Sequence, residues 1–172
     1  MKPRLPLPSR TLTTYGNPDE RLAVPDASDL APGIAEAREQ SQSLTFALAA
    51  VNDPVLTEMV RLRNARFQDC KFCQSTRSPA ARAQGASETL YAAIDNYEAS
   101  ELSERQKAAL RLADAYLLWP AGTSEEVRAG ALEHFTPEQI VEFILRLLVY
   151  SSDKVMISLN LDLDEPLISK DS

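Results

Sequence analysis

The sequence is poor in the residues that most often bind metals. Its 172 residues include only two cysteines, Cys70 and Cys73, and one histidine, His134. A structural zinc site takes four ligands, mostly cysteine and histidine side chains. These three residues cannot fill such a site, and nothing in the spacing of the carboxylates suggests that they complete one, so we expect no bound metal. We expect no other cofactor either.

Positive charge and long apolar runs are also scarce. The chain has 18 lysines and arginines against 25 acidic residues, a net charge of −7, whereas a phosphate backbone needs a clustered positive surface. The longest apolar run, at 143–150, contains Arg146 and is too short to span a bilayer. The first ten residues lack the apolar stretch of a signal peptide. We therefore expect a cytoplasmic chain that binds neither nucleic acid nor membrane.

Strand-like alternation is missing, and signals for helix starts recur. The one alternating segment, 159–163, is short. Helix starts are predicted at Asp53–Pro54, Ser87–Glu88, the Ser103–Gln106 capping box, Thr123 with Glu126, and Thr136–Pro137. The sequence therefore predicts an all-α fold. Its last helix, over about 137–159, is apolar on a wide arc, which predicts either a central helix or one shared with another subunit.

The distribution of proline suggests how the chain is divided. Six of the eleven prolines fall in the first 32 residues, which excludes regular helix or a central strand there. We predict an extended arm at 1–28, a single all-α domain at 29–165 and a short tail at 166–172. A chain of this length suits one domain with a sizeable core.

The two cysteines form a Cys-x-x-Cys pair, which is typical of redox chemistry in the cytoplasm. Residues i and i+3 share one helix face, close enough to form a disulfide. If Cys70 opens a helix, the unpaired N–H groups of the first helical turn stabilise a thiolate there. Lys71 and Arg77 add positive charge, which also lowers the pKa of a cysteine. The alternative is that both cysteines are small apolar fillers of the core.

Pro79 leaves two placements open for Arg77. If one helix continues from the cysteines, Arg77 lies one turn above Cys73. Proline is costly inside a helix, however, so Ser78 can instead cap a new helix with Pro79 as its first residue. In that case Arg77 lies at a break between helices and points elsewhere.

The stretch around the pair resembles the alkylhydroperoxidase D-like / carboxymuconolactone decarboxylase family. The family motif is a glutamate, eleven residues, Cys-x-x-Cys, three residues and a histidine. Glu58 stands twelve positions before Cys70, and Cys73 follows in register. The flanks 58–63 and 81–85 and the later segment 135–161 are similar as well, so the resemblance covers roughly 31–163.

The resemblance implies an all-α trimer or hexamer that reduces hydroperoxides, with the cysteines opening a helix in a cleft near a subunit contact. Electrons would come from a lipoylated or thioredoxin-like donor. Glu58 would accept a proton or hold water, Cys73 would be the thiol coupled to the proton relay, and Cys70 its disulfide partner. Which thiol attacks the peroxide stays open.

Arg77 stands where the family has its histidine. Histidine exchanges a proton near neutral pH, whereas arginine stays protonated. Arg77 would still hold a thiolate, so peroxidase activity remains the leading hypothesis. The alternative is a redox-sensing or binding protein on the same scaffold, and a decarboxylase is a third. We expect His134 at the surface near a helix C-terminus, and Arg61 in an ion pair with Glu58.

Overall fold

The described part of the chain is built from helices. A computed structural model describes residues 51–158 and, before them, Gly33 and Glu36, both of which are helical. No strand occurs among these residues, which confirms the all-α prediction. In chain order the α-helices of 51–158 are α1 (Pro54–Phe67), α2 (Lys71–Ser75), α3 (Pro79–Ala83), α4 (Glu88–Ala92), α5 (Glu104–Leu118), α6 (Glu125–His134) and α7 (Pro137–Ser158), and the 3₁₀ segments are Ala93–Ala99 and Pro120–Gly122.

Within the described residues, no helix combines the length and apolarity needed to cross a bilayer. The predicted arm 1–28, the alternating segment 159–163 and the tail 166–172 lie outside the described residues. The division of the chain into arm, domain and tail therefore stays a prediction.

Local capping explains where the helices begin. The side chains of Asp53, Ser87 and Ser103 each accept a backbone N–H in the first turn of α1, α4 and α5, as predicted. The start predicted at Thr123 is wrong by one residue. Ser124 caps α6 instead, because the Thr123 hydroxyl donates to the carbonyl of Pro120, 3.0 Å away.

Helix α1 lies at the centre of the core. One of its faces packs against α5 and α7, and another packs against α4 and the 3₁₀ segment that follows it. The first cluster also contains the edge-to-face pair Phe135 and Phe143, whose ring centroids are 5.2 Å apart. The second includes Met59, Tyr91 and Ile94, each at most 1% exposed. The cysteine pair packs against the C-terminal end of the same helix.

Helix α7 has an apolar face that the described residues leave uncovered. Val141, Leu148 and Val155 recur every seven residues and are each more than half exposed. Leu145 is half-buried and Ser152 exposed on the same face. We call these five residues the α7 stripe. The same helix also contributes Phe143 and Leu147 to the core, so whether it is central or shared with another subunit stays a prediction.

Candidate functional site

A tight turn after α1 places Cys70 at the start of α2. Asp69 has a φ of 51°, the left-handed conformation that usually favours glycine. Its N–H donates to the carbonyl of Arg66 at 3.1 Å, and the N–H of Cys70 donates to that of Ala65 at 3.0 Å. This pair of bonds is a Schellman motif, which ends one helix and fixes the direction of the next segment. The Asp69 carboxylate also binds the Lys71 ammonium, which lowers the pKa of Asp69.

Cys70 and Cys73 form a disulfide inside the first turn of α2, with their Cα atoms 5.3 Å apart. Cys70 is the N-cap residue, and its Sγ accepts the N–H of Cys73 at 3.2 Å. The two residues pack on Ala65 and are 2% and 8% exposed. The prediction that the pair opens a helix, with Cys73 one turn inside, is confirmed. Because the two sulfurs are bonded to each other, the cysteines are not two separate small apolar residues that merely fill space in the core.

Behind the pair, Glu58 is buried and bound to Arg61, as the spacing predicts. Arg61 Nε lies 2.6 Å from Glu58 Oε2 and Arg61 Nη2 lies 2.8 Å from Oε1, which also accepts the N–H of Ser78 at 3.1 Å. The sequence did not reveal the other contacts of Arg61. Its guanidinium donates to the carbonyls of Cys73 at 2.7 Å and Thr76 at 2.8 Å. Arg61 therefore connects Glu58 to the helix that carries the cysteines.

Arg77 is buried on the far side of the break that follows α2. Its Nε and Nη2 donate to the Glu88 carboxylate at 2.7 and 2.9 Å. Its Nη1 donates to the carbonyls of Gln74 at 2.6 Å and Thr76 at 2.7 Å, and its Cζ lies 5.1 Å from the centre of the Tyr91 ring. The bond to Glu88 raises the pKa of Arg77 above its usual value. Arg77 therefore anchors the chain that leaves α2.

The break itself follows from Pro79. The Ser78 hydroxyl accepts the N–H of Ala81 at 3.3 Å, and Pro79 is the first residue of α3. The alternative in which Ser78 caps a new helix is confirmed. The placement of Arg77 one turn above Cys73 is wrong, because α2 ends before the residue at position 76 and the backbone there is extended.

Helix α7 carries a buried row of polar residues that the sequence analysis did not identify. Glu142, Arg146, Tyr150 and Lys154 follow one another every four residues, and all are buried. We call these four residues the polar ladder. Glu142 Oε1 accepts from Arg146 Nε at 2.7 Å, and Glu142 Oε2 accepts the backbone N–H of Asn52 at 2.7 Å. Arg146 in turn bonds to the Tyr150 side chain. The spacing of four was the signal available in the sequence.

Lys154 ends the polar ladder beside α1. Its Nζ donates to the backbone carbonyl of Tyr150 at 2.7 Å and lies 5.7 Å from the centre of that ring. Burial and the nearby charge of Arg61 lower the pKa of Lys154 to about 7, and Asp153 acts in the opposite direction. Burial also raises the pKa of Tyr150. Lys154 therefore gains and loses a proton near neutral pH.

The structure thus brings three of the four predicted site residues together. Glu58, Cys70 and Cys73 meet through Arg61, whereas Arg77 binds elsewhere. The single histidine, His134, ends α6, and its backbone carbonyl accepts a bond from Arg105. The result is an all-helical protein with a disulfide-forming cysteine pair at the start of a short helix, backed by a buried glutamate that pairs with a partly buried arginine.

Two curated relatives match part of this chain. No protein-family model matches the sequence. The uncharacterized proteins Rv2313c and MT2376, from Mycobacterium tuberculosis strains H37Rv and CDC 1551, are each 40% identical to it over 111 residues. The match covers 64% of this chain and 39% of each relative, so the chain spans about two fifths of the length of these proteins.

A crystal structure from Agrobacterium tumefaciens has a similar fold. That protein has no known function and is described as a candidate antioxidant defence protein AhpD. The two structures superpose with a TM-score of 0.61 at 16% sequence identity, over 81% of this chain and 94% of the other. At this identity the likeness establishes a shared helical fold.

Proposed function

We propose that this chain is a thiol-dependent oxidoreductase that reduces hydroperoxides through a Cys70–Cys73 dithiol/disulfide couple. The observation that carries the proposal is the disulfide within one helical turn, in which Cys70 Sγ accepts the N–H of Cys73. That geometry gives two sulfurs close enough to exchange a bond without rearrangement of the fold. The antioxidant description of the Agrobacterium neighbour is in keeping with the proposal.

The reaction follows from the chemistry of paired thiols. A thiolate attacks the terminal oxygen of the hydroperoxide, the O–O bond breaks, and an alcohol leaves after taking up a proton. The second thiol then attacks the sulfur of the sulfenic acid, the S–O bond breaks, the hydroxyl leaves as water after taking up the thiol proton, and the disulfide closes. Two electrons have passed from the pair to the peroxide. Cys73 is the more exposed of the two residues, whereas Cys70 Sγ accepts the backbone N–H of Cys73, a bond that would stabilise a thiolate. Each sulfur therefore has one feature that favours its attack on the peroxide.

The residues and partner proteins around the cysteine pair would support the reaction. A dithiol protein, lipoylated or thioredoxin-like, would return two electrons to the disulfide. Both carboxylate oxygens of Glu58 already accept hydrogen bonds from Arg61, whose guanidinium donates to the carbonyl of Cys73. Glu58 would therefore assist proton transfer indirectly, by holding Arg61 against that carbonyl. Arg77 would contribute by holding the end of α2. The chain would act as a homo-oligomer.

The test uses the reduced full chain and tert-butyl hydroperoxide. We expect both thiols to disappear with one equivalent of peroxide and to return on addition of dithiothreitol, as measured by thiol titration and intact mass. In Cys70→Ser and Cys73→Ser, only the variant that keeps the attacking cysteine should form a sulfenic acid that dimedone traps. If both thiols of the wild type stay reduced, the peroxidase proposal is wrong.

A redox-sensing or binding protein is the second candidate. It is favoured by Arg77, which occupies the place of the family histidine and is held by Glu88. Such a protein would be oxidised once and would not turn over. The rate of tert-butyl hydroperoxide consumption with excess dithiothreitol separates the two, since a peroxidase accelerates it through many rapid turnovers per chain, whereas a sensor leaves it close to the rate with dithiothreitol alone.

A further inference from the structure

Two arginines hold the C-terminal end of α2, the helix that carries the cysteine pair. We propose that Arg61 and Arg77 form a clamp that keeps the reduced cysteines in position to close the disulfide, and thereby favours the oxidised form of the pair. Both would be positioning residues, because the bonds they make to α2 are to its backbone carbonyls. The inference goes beyond the proposed peroxidase reaction, since it concerns the equilibrium of the pair with any thiol reductant.

The bonds of the clamp begin at Cys73 itself. Arg61 Nη1 donates to the carbonyl of Cys73 at 2.7 Å, and Arg77 Nη1 donates to the carbonyl of Gln74, the next residue, at 2.6 Å. Both guanidiniums also donate to the carbonyl of Thr76, at 2.8 and 2.7 Å respectively. The last carbonyls of a helix have no partner within the helix, so the two arginines supply donors that α2 itself cannot.

Each guanidinium of the clamp is fixed in turn by a carboxylate from outside α2. Glu58 on α1 accepts two bonds from Arg61, and Glu88 at the start of α4 accepts two bonds from Arg77. These carboxylates compensate the two positive charges that meet at the carbonyl of Thr76. They also join the end of α2 to both α1 and α4, so the clamp is anchored in the helical framework and not only in the loop around it.

The other end of α2 is held without the help of the clamp. The N–H of Cys70 donates to the carbonyl of Ala65 at 3.0 Å in the turn after α1, and both cysteines pack on Ala65. We therefore expect Cys70 to keep its place when the S–S bond is broken. The place of Cys73 depends on the rest of α2, which has five residues and is too short to be stable alone. In the reduced chain, the clamp therefore determines how close Cys73 stays to Cys70.

The distance between the two thiols governs the equilibrium between dithiol and disulfide. When a thiol reductant acts on the pair, the S–S bond breaks, two electrons and two protons pass to the cysteines, and the reductant becomes a disulfide. The reverse reaction requires the two cysteine sulfurs to meet again, and groups that are held together react more readily. The clamp therefore stabilises the disulfide. A guanidinium that acted through its charge would have the opposite effect, because it would stabilise a thiolate and so favour the reduced pair.

The experiment equilibrates the full chain at neutral pH with buffers of reduced and oxidised glutathione or dithiothreitol. Acid quenching, alkylation and intact mass give the oxidised fraction. Arg77→Gln removes both the charge and the fork of the guanidinium, whereas Arg77→Lys keeps the charge but has no planar fork to span its partners. We expect both variants to shift the equilibrium about tenfold toward the dithiol, which corresponds to about 30 mV in reduction potential. Arg61→Lys should shift it in the same direction.

The matched control is Arg63→Gln on α1. Arg63 makes a forked bond with Asp114 at 2.6 and 2.9 Å, and its Cζ lies 5.5 Å from the centre of the Tyr97 ring. These are the same kinds of contact that Arg77 makes, except that the bonds to the carbonyls of α2 are replaced by none among the described residues. The control should therefore lose stability without a change in the redox equilibrium.

The possible outcomes separate the clamp from a charge effect, from general destabilisation and from the proposed function. An unchanged equilibrium in folded Arg77→Lys and Arg77→Gln would overturn the clamp. So would a shift of Arg77→Gln toward the disulfide, which is the sign of a charge effect, or an equal shift in Arg63→Gln. If the variants shift as expected but the wild type consumes no hydroperoxide, the peroxidase proposal fails and the clamp stands. Circular dichroism and urea melts confirm that folded chains are compared.

Discussion

Arg77 shows what a buried arginine does at the end of a short helix. Its guanidinium makes four hydrogen bonds, two to the Glu88 carboxylate and two to the carbonyls of Gln74 and Thr76. These bonds direct it away from the cysteines and hold the extended chain after α2. A histidine is too short and has too few donors to replace them. Position 77 therefore has a structural task in this protein.

We predict that Arg77→His and Arg77→Met lower the free energy of unfolding by about 1–3 kcal/mol, because buried carbonyls lose their donors. Neither variant should gain hydroperoxide turnover. Urea denaturation and the peroxide assay check both points. Arg128→Met, which removes an exposed ion pair with Glu125, is the control and should cost about 0.5 kcal/mol or less. A large gain in turnover for Arg77→His would show that position 77 reaches the pair.

At the scale of elements, α1 and α2 are held together by Arg61. Helix α2 has five residues, too few to be stable alone, so its position depends on the contacts of its ends. Arg61 supplies two of these, to Cys73 and Thr76, while Glu58 keeps its guanidinium in place. A lysine carries the same charge but has no planar fork to span these three partners.

We therefore predict that Arg61→Lys speeds amide exchange in α2 and lowers stability by about 1–3 kcal/mol. Hydrogen–deuterium exchange read by mass spectrometry on peptides covering 70–76 measures the first effect. The control is Arg63→Lys on the same helix, since Arg63 makes a similar forked bond with Asp114. The control should lose stability without faster exchange in α2. Equal exchange in both variants would contradict the role given to Arg61.

The elements divide into those that sequence can predict and those that it cannot. The starts of α1, α4 and α5 and the break at Pro79 were predictable, because a cap or a proline acts within a few residues. The Glu58–Arg61 pair was predictable for the same reason. The bond from Arg61 to Cys73 and the polar ladder depend on how helices pack, which no local pattern specifies. The error at Thr123 came from two adjacent residues that can both cap a helix.

At the scale of the whole molecule, the α7 stripe is a surface of the described residues that is suited to self-association. Its residues are spaced alternately four and three apart, the pattern of helices that pack along a seam. Three of its four apolar side chains are more than half exposed in the described structure. A second copy of the same helix would bury them, in agreement with the oligomer that the sequence resemblance implies.

We predict that Leu148→Glu shifts the chain from an oligomer to a monomer, because a carboxylate in the seam must be desolvated. Sedimentation velocity at several concentrations measures the mass. Leu132→Glu on α6 is the control, since Leu132 is 50% exposed and lies off the stripe. An oligomer that tolerates Leu148→Glu, or a wild type that is monomeric at all concentrations, would contradict self-association through α7.

The disulfide has a consequence for how this protein can change over evolutionary time. A cross-link stabilises a fold mainly by restricting the unfolded chain, and this effect grows with the length of the loop it closes. Here the linked residues are separated by three positions, so the loop is very short. Loss of the bond should therefore cost about 2 kcal/mol, less than the loss of a bond that closes a long loop. Descendants of this chain could lose both cysteines and keep the fold, so the scaffold and its chemistry are free to be inherited separately.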